Sequence, residues 1–283
     1  MTRARQVDLH THTNVSDGQF TPAELVALAI ERGLGLIAIT DHDTTGAISP
    51  ALEAANGALD IIPAVELSAE NAGLDVHTLG YFVDIDNPRF QEQLARFRDD
   101  RYRRGEQIVQ RLRSLGYPLD WERVQEIAGG GALGRPHIAR ALLEAGHVTS
   151  IHEAFDRFIH NQGPAYVARR RLTPEEAIDL IHSAGGVAVM AHPGLVPGYP
   201  AIIKRLVLAG LDGVEVAHPK NGTVARQNLR GLAKVYDLVM TGGSDFHGAD
   251  AEGSLALGSV SPPAGCVASL IDRARRYKSE YNP

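Results

Sequence analysis

The stretch LGLIAITDHD, residues 34–43, limits the fold more than any other part of the chain. So continuous an apolar run has no solvent face, so it suits a strand covered on both sides, as in a parallel sheet. The segment before it, TPAELVALAIERG, has the marks of a helix start: Thr21 as N-cap, Pro22 at the first helical position and Glu24 completing a capping box. Leu25, Leu28, Ala29 and Arg32 keep helical spacing, and Gly33 can end the helix. The device recurs in LTPEEAIDLIHSAGG, with Thr173, Pro174, Glu176 and a closing Gly185. QVDLHTHT, IIPAVELSAE, DVHTLGYFVD, GVAVMAHPG, DGVEVAHP, LVMTGGSDFH and SLALGSV read as further strands, and YPAIIKRLVLAG and VARQNLRGLAKVYD as helices. Strands alternating with helices of this length predict right-handed βα units and a parallel barrel or sheet.

From Pro88 to Ala168 the rhythm gives way to helices, FQEQLARFRDDRYRRGEQIVQRLRSLG first among them. The expected organisation is therefore an α/β barrel, residues 1–87 and 169–283, interrupted by a helical insertion, residues 88–168, that forms a lid. AGGGALGRP within the insertion is glycine-rich but follows no strand, so it reads as a flexible connector and not a phosphate loop. A chain of 283 residues can bury a sizeable core, and 44% hydrophobic with 22% charged residues is ordinary for a globular protein. The net charge of −6 argues against coating duplex DNA, while leaving room for a local basic groove. MTRARQVDLH carries no apolar run behind its basic residues, no stretch approaches a membrane span, and the single Cys266 excludes an internal disulfide. A cytoplasmic protein is expected. Only Lys204, Lys220, Lys234 and Lys278 are lysines among 28 basic residues. A G+C-rich host produces such a bias, and arginine's planar fork also suits phosphate.

The first strand ends VDLHTHTNVSDG, which projects His10 and His12 to the same side with Asp17 in the loop behind. Two adjacent imidazoles repel when protonated, and a bound cation is their simplest common partner. The other strands stop on His42, Glu66, His77, His192, Glu215 with His218, and Asp245 with His247. In a barrel such ends converge on one face. Imidazole plus carboxylate without thiolate suits Zn, Mn or Fe. His10, His12, Asp17, His42, Glu66, His77, His192, Asp245 and His247 exceed what one tetrahedral ion needs and suffice for two or three. Singly, each has a plainer reading: His77 a hydrogen-bonded strand histidine, Glu66 a strand-end charge, Asp17 a turn residue. Jointly, those readings need nine coincidences. His137, His147, His152, His160 and His182 fall in helical segments and read as structural or solvated.

DLHTHTNVSDG, ITDHDT, Glu66, His77, AHPG and GSDFH, in this order, resemble the PHP (polymerase and histidinol phosphatase) superfamily over most of the chain. The insertion with GRPHIARAL resembles bacterial members acting on 3',5'-bisphosphorylated nucleotides and the 5' ends of short RNA. The resemblance implies a distorted (β/α)7 barrel and a trinuclear site of manganese, iron or zinc. His10, His12, Glu66 and Asp245 would hold one ion. Glu66 would bridge to a second held by His77 and His192, and Asp17, His42 and His247 would hold the third, with His42 and His247 also facing substrate. It implies hydrolysis of phosphomonoesters by a metal-bound hydroxide, since two ions about 4 Å apart acidify a shared water and clamp phosphoryl oxygens.

Arg135 in GRPHIARAL is the first expected phosphate contact. Arg101 and Arg104 are expected at a second phosphate, although Asp99, Asp100 and Glu106 interleave and such a helix is usually a solvated face. His218 is expected to touch substrate or protonate the leaving oxygen, and Asp41 to orient a ligand. The expected partner is a phosphorylated nucleotide or a short single-stranded RNA end, with no membrane; oligomeric state stays open. Three alternatives remain: a histidinol-phosphate-type phosphatase, a non-catalytic polymerase module, and an amidohydrolase. The last would need Glu66 as bridge, because no lysine precedes Lys204.

Overall fold

The computed structural model describes residues 6–168, 172–249 and 253–278. Seven strands form one sheet in chain order: β1 (Gln6–Thr11), β2 (Leu34–Ile39), β3 (Asp60–Asn71), β4 (Leu74–Tyr81), β5 (Val187–Met190), β6 (Gly213–Ala217) and β7 (Val239–Gly242). Helices α1 (Pro22–Glu31), α2 (Ile48–Ala55), α7 (Pro174–Ser183), α8 (Tyr199–Leu208), α9 (Thr223–Val235) and α10 (Cys266–Lys278) cover it. Both expected capping boxes are present, each of a kind that contributes about 1 kcal/mol. Gly33 and Gly185 follow those helices at φ 73 and 69, a conformation glycine adopts without strain.

The parallel expectation needs one correction. β4 runs antiparallel to both its neighbours, whereas the other four pairings are parallel. Only Ala72 and Gly73 separate β3 from β4, both at positive φ (51 and 84). Such a two-residue link makes a tight hairpin and is far too short for a parallel crossover. The hairpin also overhangs the sheet. The β2–β3 ladder stops at Ile39↔Pro63 and the β4–β5 ladder at Thr78↔Met190, so Glu66 and His77 lie mid-strand but just past the sheet edge.

SLALGSV is not a strand. Among the described residues it makes one bridge, Ala249↔Leu255, and several of its backbone groups bond side chains instead. Arg32 donates to Leu255 and Leu257 carbonyls, and the Gly258 N–H donates to Asp8. β1 and β7 approach each other, and their described bridge, Thr11↔Phe246, lies just past the end of β7, where the His12 N–H donates to Phe246 O at 2.8 Å.

Between β4 and β5, in the segment expected as an insertion, lie α3 (Pro88–Ser114), α4 (Trp121–Ala128), α5 (Arg135–Glu144), α6 (Ile151–Ala154) and a π-helical turn at Phe155–Ile159. α3, roughly 40 Å long at 1.5 Å per residue, spans two cores. Phe90 and Leu94 pack into the cluster under the sheet, while Ile108, Val109 and Leu112 pack with Val124, Ile138, Leu142 and Phe158. The glycine-rich connector is not loose. Ala132 N–H donates to Val15 O at 2.9 Å, and Gly131 lies so close to the Asn14–Val15 backbone that a Cβ would sit 2.6 Å from Val15 O. The insertion is thus seated on the loop between His12 and Asp17. Among the described residues, no helix is long and apolar enough to cross a membrane.

Candidate metal centre

Parallel strands deliver side chains to the sheet's C-terminal edge, and the overhanging hairpin adds Glu66 and His77 there. β1 supplies His10, and His12 follows it; both are fully buried. The Glu66 carboxylate sits at the middle. Its Oε2 lies 3.4 Å from His10 Nε2, 3.3 Å from His12 Nε2 and 3.2 Å from His42 Nδ1. Its Oε1 lies 2.8 Å from His77 Nδ1 and 3.1 Å from His192 Nε2. Asp245 Oδ1 is 3.3 Å from His10 Nε2 and 3.4 Å from His12 Nε2. Asp17 lies 3.3 Å from His247 Nε2 and 3.7 Å from His42 Nε2. All nine expected ligands therefore converge.

Donor atoms fall within 4.8 Å of one another in three groups built from these residues: His10, His12, Glu66 and Asp245; His12, Asp17, His42 and His247; and His42, Glu66 and His77. Buried nitrogens on His12, His42, His77 and His192 have no hydrogen-bond partner. Orphaned imidazole nitrogens beside carboxylates are unfavourable in a protein interior, and a cation on their lone pairs removes the cost. Electrostatics points the same way. Burial opposes charge on His10, His12 and His192, yet Glu66, Asp245 and Glu215 hold their pKa values up, to about 10 for His12. Burial pushes His42 down to about 3. Asp17, Glu66 and Asp245 stay ionised despite burial because imidazoles surround them. The cluster needs positive charge, and divalent ions supply it on the same nitrogens. The residues fit a multinuclear metal site.

The backbone is strained where ligands turn inward. Asp43, His192 and Asp245 have positive φ (53, 30 and 54), a conformation that persists in non-glycine residues when the surroundings enforce it.

The flanking residues differ from expectation. The buried Asp41 carboxylate reaches no ligand side chain directly: it accepts from Thr13 N–H, Thr13 Oγ1 and Ser16 Oγ at 2.6–2.7 Å, which shapes the loop carrying Asp17, while the Asp41 carbonyl accepts the Glu66 N–H at 3.2 Å. His218 is fully buried and not open to a substrate. Its Nδ1 accepts from Lys220 N–H at 3.2 Å, and its Nε2 faces Asp245 Oδ2 at 3.3 Å. Arg135 is held by Asp75 at 2.9 Å, Asn161 at 2.8 Å and Ile159 O at 3.1 Å; Asp75 sits two residues before His77 on the same side of β4. Arg104 turns back into the insertion, donating to Val167 O at 2.7 Å over the Tyr166 ring. Arg101, too, is held by a carboxylate. It bonds Asp43 at 2.6 Å and Ser68 at 2.8 Å, beside a cavity of about 30 Å³, and the charges of Asp17 and Glu66 act on it. Neither Arg101 nor Arg104 lies on a solvated face: each is about 10% exposed or less.

Asp8 escaped the sequence reading. Fully buried, it accepts from Ser244 N–H (2.9 Å), Ser244 Oγ (2.6 Å) and Gly258 N–H (2.8 Å), fixing the residue next to Asp245. Its position two residues before His10, on the same strand face, was the available signal.

Site geometry and the relatives that follow together make the chain a metal-dependent phosphoesterase, an enzyme hydrolysing phosphoric esters. Residues 8–159 match the PHP domain family, and the chain belongs to it. It is 40% identical over 247 residues to the 5'-3' exoribonuclease Rnm of Escherichia coli, covering 85% of this chain and 84% of that protein. It is 32% identical over 265 residues to the 3',5'-nucleoside bisphosphate phosphatase of Chromobacterium violaceum, covering 91% and 93%. A crystal structure from Bifidobacterium adolescentis, described as a metal-dependent phosphoesterase, superposes with TM-score 0.86 at 33% identity, covering 96% and 97%.

Proposed function

We propose that the protein hydrolyses phosphomonoesters of nucleotides, with 3',5'-bisphosphorylated nucleotides or the 5' ends of short single-stranded RNA as substrates. The carrying observation is Glu66, whose two oxygens each face a separate set of imidazoles and are placed to join two cations. His10, His12, Glu66 and Asp245 would hold one ion, Glu66, His77 and His192 a second, and Asp17, His42 and His247 a third. Manganese is the first candidate, then iron or zinc, because the donors mix imidazole and carboxylate. Bound ions supply an activated water at neutral pH and neutralise phosphoryl charge.

The chain's own residues do the rest. His247, the most exposed ligand at 35%, and His42 border the entry side of the cluster. We read the sheet as a distorted (β/α)7 barrel and residues 88–168 as a lid seated through Gly131–Ala132. Lids of this kind exclude water and grip the unreactive part of a substrate. Arg101 and Arg135 stand at the lid boundary, where a second phosphate would compete with Asp43 and Asp75 for their forks. The relatives named above act, by name, on RNA 5' ends or nucleoside bisphosphates, which supports this substrate class. Phosphate release from adenosine 3',5'-bisphosphate, AMP and histidinol phosphate by metal-loaded protein tests it. The bisphosphate should be the best of the three; preference for histidinol phosphate would refute the nucleotide reading.

A further inference from the structure

We infer that Glu215, without binding metal itself, positions ligands on both sides of Glu66: the ring of His10 and the backbone of His192. The inference rests on the metal reading of the cluster and not on which ester is cleaved.

Glu215 lies on β6 and is fully buried. Its Oε1 is 3.0 Å from His10 Nδ1, and its Oε2 accepts the His192 N–H at 2.8 Å. A carboxylate can only accept, so His10 carries its proton on Nδ1. In the neutral imidazole that would ligate an ion, Nε2 is then the nitrogen with the free lone pair, 3.3–3.4 Å from Asp245 and Glu66. Such a carboxylate–imidazole pair fixes tautomer, ring orientation and basicity of a ligand. The second bond holds His192 at φ 30, ψ 55, and from that strained position its Nε2 reaches Glu66 Oε1. Asn221 braces the arrangement, donating to Glu215 O and accepting from Gly194 N–H, both at 3.0 Å.

His10, Glu215 and His218 are themselves close enough to hold an ion. The hydrogen bonds argue against this. Both Glu215 oxygens are engaged, and His218 has Nδ1 on Lys220 N–H and Nε2 towards Asp245.

Glu215→Gln is nearly isosteric but offers one acceptor and one donor. With its NH₂ towards His10, the imidazole proton must move to Nε2 and block the metal. In the flipped orientation, that NH₂ opposes the His192 N–H. The expected result is a 10- to 100-fold loss of affinity for Mn²⁺ or Zn²⁺, read by equilibrium dialysis and elemental analysis, with circular dichroism unchanged. Folded E215Q with wild-type affinity and stoichiometry would overturn the inference. A second measurement does not depend on the variant folding: nitrogen-15 imidazole spectra of the zinc-loaded wild-type protein. His10 should show a protonated Nδ1 and a metal-bound Nε2; a metal-bound or bare Nδ1 would overturn the inference. Failure of the wild-type protein to bind any divalent metal would instead sink the metal reading itself.

Discussion

Arg101→Ala should destabilise the protein through the link between insertion and sheet. The guanidinium bonds Asp43 at 2.6 Å and Ser68 at 2.8 Å, with 10% and 5% of the two ion-pair side chains exposed. Breaking a buried ion pair from one side costs about 3–5 kcal/mol, because the remaining charge loses its partner. Two features reduce that figure here. Asp43 still accepts from Ser68 N–H at 3.0 Å, and a cavity of about 30 Å³ beside Arg101 can admit a water. We therefore expect a loss nearer 2–3 kcal/mol, in the range of one hydrogen bond to a charged group. At about 2–4 °C per kcal/mol for a chain of this size, Tm should fall by roughly 4–12 °C. Calorimetry in chelator separates this from metal binding, and a cycle with Asp43→Asn isolates the pair. A Tm shift below about 1 °C, or no coupling in the cycle, would refute the reasoning. If a second phosphate also docks on Arg101, turnover of the bisphosphate should drop about thirtyfold more than that of AMP, equivalent to about 2 kcal/mol.

Glu66→Gln should abolish turnover and reduce metal content, since a neutral amide joins two cations poorly; full metal content with wild-type turnover would contradict the bridging assignment. Gly131→Ala should lower occupancy of the Asp17, His42 and His247 group before the other ions, because its Cβ would lie 2.6 Å from Val15 O with only backbone to yield. Elemental analysis during dialysis against weak chelator reads this, and uniform metal loss across the cluster would contradict it. Burial pushes the Cys266 thiol up to about 12, so the folded chain keeps a proton that the unfolded chain releases above about pH 9. Stability from this group is fully present below that pH and falls as pH rises; Cys266→Ala should flatten the loss between about pH 9 and 11 in denaturant titrations, and an unchanged slope would refute it.

The clustering of the nine candidate ligands was legible because metal donors are few in type and the strand pattern placed these residues on one edge. The capping boxes at Thr21 and Thr173 were legible for a similar reason: side chain and spacing together specify a local geometry. The antiparallel β4 was missed although both strands were found, since direction depends on the Ala72–Gly73 turn, where only one residue is glycine. α2 and α10 were not anticipated; ISPALEAA is only eight residues long and starts after Ala47 with no capping side chain. The arginines mislead for a different cause. Their charge fits phosphate, but which guanidinium finds a carboxylate is settled by tertiary placement: Asp43 took Arg101 and Asp75 took Arg135. Asp8 and Glu215 likewise act by touching ligands or their neighbours from other strands, contacts that no local pattern encodes.

The central claim is that this cluster holds catalytic divalent ions. The direct test is elemental analysis of the purified protein alongside phosphate release from adenosine 3',5'-bisphosphate, before chelation, after chelation and after Mn²⁺ is restored. The account predicts two to three ions per chain, loss of phosphate release with the metal, and recovery on reloading. Undiminished phosphate release from protein stripped to below one ion per chain would contradict it.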